Sequence, residues 1–214
     1  MALPGVAAIS VRGTSPLPPS MLPPDTQPLS TTSSSSSRSS SPGHFHWGDD
    51  LRLDQASGDI DPDPGFDAAA HRIMTLLVKG VLVDALGWEM RDIMLFGFGQ
   101  GGSLALGIAS RLRTPERVVD LEDGGAEMGM TTKGVVSIGG PLPGSMVPSL
   151  GGRRKSDTPV LVVQLDGNEV DRVRREFGDV RAVNWRSRDV SMPRNREEMF
   201  PLMKFFADQL NKPY

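Results

Sequence analysis

Along the chain, short apolar runs of strand length alternate with longer stretches whose apolar residues recur every three or four positions. Val6 to Val11 reads as a strand, and a helix is predicted from about Phe66 to Leu86. Asp61, Asp63 and Asp67 lie near its positive end and Gly87 is its stop. Arg91 to Phe96 is a second strand, followed at once by a buried helix over Gly102 to Leu112. Further strands are predicted near Val135 to Ile138, at Val160 to Gln164 and near Val180 to Trp185, with a helix from about Val170 to Phe177 between the last two. In a final helix from about Arg196 to Leu210, Met199, Leu202, Met203, Phe206 and Leu210 mark the core face, and Pro201 should kink or restart it. This alternation predicts an α/β class: a mainly parallel sheet with flanking helices.

The junction between the Arg91 strand and its helix carries the candidate chemistry. Gly97-Phe98-Gly99-Gln100-Gly101 has the Gly-x-Ser-x-Gly form of a hydrolase nucleophile elbow, in the strand, turn and helix context that the motif requires. Its central position holds glycine, so the activated hydroxyl is missing. Gly97, Gly99 and Gly102 also satisfy a bare G-x-G-x-x-G spacing. No Lys-Ser/Thr ending and no matching downstream acid accompany it, which argues against a nucleotide-binding loop.

Leu95 to Leu106 resembles the LFGFSQGG-type segment of the acyl-protein thioesterase, carboxylesterase and phospholipase family of α/β-hydrolases. Other stretches resemble its fungal-type branch in the same order: Ile9 to Gly13 with Pro16-Leu17-Pro18, His46-Trp47 with Asp49-Asp50, Gly134 to Pro143, and Met192 to Met199 leading into the last helix. The resemblance implies an α/β-hydrolase-type sheet that lacks the family's first strands and its His-Gly loop, which have no counterpart here. Either the Val6 strand shifts across to pair with the elbow strand, or apolar edges are exposed. It also implies an acyl ester, acyl thioester or lysophospholipid as the ancestral substrate class.

A serine hydrolase needs a nucleophile, a histidine to carry its proton and an acid to orient that histidine. By resemblance these positions are occupied by Gly99, Asn168 and Met192, so no intact triad is present. Asp166 lies two residues before Asn168, where a local shift could recruit it. No histidine follows His71, whatever the alignment. The resemblance leaves the backbone N–H of Gln100 as one oxyanion-type donor, with Trp47 and Phe98 as apolar pocket contacts. A catalytically degenerate family member that binds acyl groups or a protein partner is therefore the leading expectation. An active ester or thioester hydrolase with displaced residues, and a non-functional truncated fragment, are the alternatives.

Other residues offer less. His44 and His46 could join Asp49 or Asp50 around a metal, but isolated loop histidines are more often ordinary surface groups, and no metal or cofactor is expected. Ser103, one helical turn past Gly99, reads as a packing residue. Asp166, Glu169 and Asp171 read as a loop and helix start, and Arg153-Arg154-Lys155 as a solvated basic loop.

Composition bounds the rest. With 23 basic and 26 acidic residues the net charge is -3, which disfavours nucleic acid and anionic membrane as partners. The absence of cysteine removes disulfides, thiol nucleophiles and thiolate metal sites. No apolar run is long enough to span a bilayer, and a soluble, cytoplasmic protein is expected. The Ser- and Pro-rich start overlaps in composition with transit peptides, yet only Arg12 and Arg38 are basic in its first 41 residues. The 214 residues are expected to form a single domain with a disordered Ser/Pro-rich insertion at about 20–43, whose core, Thr31 to Ser41, is all Ser or Thr except Arg38.

Overall fold

The structure is a computed structural model that describes residues 5–17, 44–50, 61, 63–112, 131–148, 154–187 and 189–212. The whole of the expected Ser/Pro-rich insertion, about 20–43, lies outside these residues, as does Arg153. The chain divides into two compact units, residues 1–47 and 48–214.

In the smaller unit β1 (Ser15–Pro16) pairs antiparallel with β2 (Phe45–His46), extended by a hydrogen bond from Leu17 N to His44 O. The Arg12 guanidinium lies 4.3 Å above the Phe45 ring, a cation–π contact. Val6 to Val11 forms no strand, contrary to its apolar pattern. Val6, Ile9 and Val11 are each more than two-fifths exposed and the segment has no ladder partner among the described residues. A strand exists only through pairing, which an apolar run cannot supply by itself.

The larger unit holds the sheet. Four parallel strands follow one another in chain order: β3 (Met94–Phe98), β4 (Gly134–Ile138), β5 (Val160–Val163) and β6 (Val180–Val183). β4 and β5 are buried along their whole length, as their Val- and Ile-rich runs require of parallel strands covered on both faces. On one face Ala105, Leu106 and Ala109 of α2 (Gln100–Arg111) and Val170 and Val173 of α3 (Gly167–Glu176) pack against Val135, Val160 and Val162. On the other, Leu202 and Phe205 of α4 (Arg196–Leu210) cover Val136, Ile138, Leu161 and Val163. Pro201 lies inside α4, which continues through it as one element.

The first helix begins as α1 (Asp67–Arg72) and continues from Ile73 to Ala85 with wider, π-helical winding. Asp49 caps its start, accepting from the amides of Asp67 at 2.7 Å and Ala68 at 3.0 Å. Val78 and Leu82 pack with Ile93 beside β3. Of the two expectations for the sheet, the Val6 segment does not pair with the elbow strand. Among the described residues β3 is an edge, with Phe96 and Phe98 44% and 45% exposed. No helix among the described residues is long and apolar enough to cross a membrane.

Candidate functional site at the carboxyl edge of the sheet

The turn from β3 into α2 is built from backbone. Gly97 approaches the following helix so closely that a Cβ there would run into the carbonyl of Gly101. Gly99 stands between strand and helix at φ 52° and ψ −126°, a conformation that side-chain-bearing residues adopt only under strain. Its N–H donates to Ile138 O at 2.9 Å, and its carbonyl accepts from Gly102 N at 2.9 Å and Ser103 N at 3.1 Å. These bonds fix the turn on both sides. A Cβ built on Gly99 meets nothing within 4 Å among the described residues, so the central position of the pentapeptide has room for a side chain there.

Gln100 is the first residue of α2, at the end where the helix dipole is positive. Ser103, one turn on, is 1% exposed and sits in the packed interior. Trp47 belongs to the smaller unit.

The loops that leave the other strands meet at this end of the sheet. Gly140, after β4, approaches the Gly99 carbonyl too closely for any side chain of its own, and Val190, after β6, packs against Gly139. Gln164, after β5, adopts φ 60° and donates from Nε2 to Ser187 O at 3.0 Å and Asp189 O at 3.3 Å. Gln164 thus ties the β5 and β6 loops together. Neither its role nor that of Val190 carries a local sequence signal, because both depend on loops more than 20 residues apart in the chain.

Asn168 is exposed in the first turn of α3 and Met192 is 48% exposed in the loop after β6. Asp166, the displaced acid candidate, is occupied as the cap of α3: its side chain accepts from Glu169 N at 2.8 Å. Glu169 and Asp171 are paired along the helix with Arg172 at 3.0 Å and Arg174 at 3.3 Å. These contacts match the helix-start reading of the three acids.

His71 lies elsewhere. It lines an open cleft of about 330 Å³ with Asp67, Ala70, Met74, Thr75, Ile108, Arg111 and Leu112, at the far end of α2 from the glycine turn. Ile108 is nine residues beyond Gly99, which at 1.5 Å per residue is roughly 14 Å of helix and out of reach for proton transfer. Within the cleft Arg111 pairs with Asp67 at 2.7 Å and donates to Met146 O at 3.0 Å. Among the described residues no three histidine or acidic side chains converge as a metal site, and Asp49 is committed to its helix. No protein-family model matches the chain, and no curated protein is significantly similar to it.

Proposed function

We propose that the chain is a catalytically degenerate relative of the acyl-protein thioesterase, carboxylesterase and phospholipase family of α/β-hydrolases, and that it binds acyl esters or thioesters without turning them over. The observation that carries this reading is Gly99, held at φ 52° and ψ −126° between a parallel strand and a buried helix with open space where a side chain would project. A nucleophile elbow has this arrangement of strand, sharp turn and helix. Four parallel strands in chain order with helices on both faces are compatible with that fold.

Binding without turnover follows from what surrounds the turn. Gln100 begins α2, whose positive N-terminal end favours a carbonyl or carboxylate oxygen. Phe98, Val190 and Met192 are 45%, 47% and 48% exposed, giving apolar surface to the loops at this edge. At the central position Gly99 has no side chain to attack, and the imidazole of His71 lies at the other end of α2. Loss of a nucleophile commonly costs about a millionfold in rate.

Titration of the full chain with a long-chain acyl thioester, followed through its three tryptophans, should give a saturable change. A fluorophosphonate should leave no covalent adduct on residues 97–103. A cooperatively folded sample with no saturable response removes the binding reading, and stoichiometric labelling of the turn removes the degenerate one.

A further inference from the structure

β3 hydrogen-bonds to one neighbour. Ile93 O accepts from Lys133 N at 2.9 Å and Gly99 N donates to Ile138 O at 2.9 Å, so the odd-numbered residues of this stretch bond towards β4. Alternate residues of a parallel strand serve opposite sides. The amides and carbonyls of Met94, Phe96 and Phe98 therefore point to the outer edge, where no strand among the described residues meets them. Their side chains share the α4 face of the sheet, on which Phe96 stacks against Phe206 at 6.3 Å. Residues 93–98 contain no charge and no proline, the usual devices that keep a strand edge from pairing.

We infer that this edge pairs with a second copy of the chain, antiparallel about a two-fold axis at Phe96. Phe96 then lies opposite Phe96 of the partner subunit, and Met94 opposite Phe98 of the partner subunit, large apolar against large apolar on one face. The register follows from the hydrogen bonds. An antiparallel pair that exchanges both of its bonds must join two outward-pointing residues, so only even-numbered residues can form the bonded pairs. A slip of the two-fold centre to Leu95 sets Asp92 against Phe98, and a slip to Gly97 drives Met94 against Gln100 at the start of α2. The centre at Phe96 alone keeps every opposed residue within the strand. The two four-stranded sheets then run on as one, and the β3 edge of each copy is covered.

This inference does not rest on acyl binding, and its test involves no ligand. Because the chain has no cysteine, introduced thiols report cleanly. Bonded antiparallel residues have Cα atoms about 5.5 Å apart, within the range a disulfide spans. Phe96→Cys in the full chain should give a covalent dimer on mild oxidation. Met94→Cys and Phe98→Cys should each remain single chains when oxidised alone and should cross-link to one another when mixed. Sedimentation of the unaltered chain should show a two-chain mass that falls on dilution, and Phe96→Lys should raise the dissociation midpoint about tenfold or more. A single-chain mass at every concentration, open-ended association without a two-chain species, or cross-linking of Met94→Cys with itself as readily as with Phe98→Cys overturns the inference. Should Phe96→Lys fail to fold, as judged by circular dichroism, the mixed-cysteine pattern decides the matter.

Discussion

The two ends of α2 carry opposite halves of what an active site needs. At its start, Gly97 and Gly99 give a tightly fixed turn with room beside Gly99 among the described residues, and Gly99 has no side chain to attack or to move a proton. At its far end lie an imidazole, a guanidinium, a carboxylate and a cleft, yet Arg111 is engaged by Asp67 and by the Met146 carbonyl. Between them the helix is buried from Gly102 to Ser110. Backbone geometry and chemically active side chains are thus separated by roughly 14 Å of packed helix. A reactive site needs both in one place, and the proposed function therefore gives the glycine end to a ligand and leaves the charged end to hold the helix.

The sharpest way to break this contrast is at Gly97. Gly97→Ala pushes a methyl group into the backbone of Gly101, which has no freedom to withdraw without moving α2 from the sheet. A loss of about 3 kcal/mol or more in denaturant unfolding is expected, since overpacking against backbone lies at the severe end of single substitutions. A loss below ~1 kcal/mol would mean that the turn is loose, and the ligand-holding role of the glycine end would go with it.

How much of this was legible in the sequence depended on whether the cause was local. The bounds of α4 agree with expectation because apolar spacing, the Asn195 cap that accepts from Glu198 N at 2.9 Å and the stop after Leu210 are all local. β4 and β5 were readable as Val- and Ile-rich runs for the same reason. Val6 to Val11 misled, since hydropathy records a capacity to pair and not the presence of a partner. The change to π winding at Ile73 was hidden too: apolar residues from Met74 to Val83 occupy every side of the helix, so no single face set its period. At the candidate site the glycine turn and the absence of any histidine beyond His71 were plain. The contact of Val190 with Gly139 and the tie from Gln164 to Ser187 and Asp189 were not, because only the folded sheet brings those loops together.

A substitution at Gly99 probes the contrast at intermediate strength. The added side chain of Gly99→Ser meets open space, so the cost is confined to holding a non-glycine residue at φ 52°, about 1–3 kcal/mol. Turnover of a long-chain thioester should nevertheless stay at background. The restored hydroxyl has no imidazole to take its proton, and a serine without its general base is a weak nucleophile at neutral pH. Hydrolysis well above background by this variant would show that a base reaches the turn from elsewhere in the chain.

The smallest effect is expected at the opposite end. Arg111→Ala removes an ion pair to Asp67 whose partners are 38% and 73% exposed, together with the bond to Met146 O. Exposed pairs contribute about 0–1 kcal/mol, and a single intramolecular hydrogen bond adds a similar amount. Unfolding should therefore shift by about 1 kcal/mol. The response to an acyl ligand should not change, because Arg111 lies roughly 18 Å along the helix from Gly99 by the rise of its twelve residues. That second readout is the informative one. If Arg111→Ala abolishes the tryptophan response while the fold is retained, the cleft beside His71 is where the ligand sits, and the roles assigned to the two ends of α2 must be exchanged.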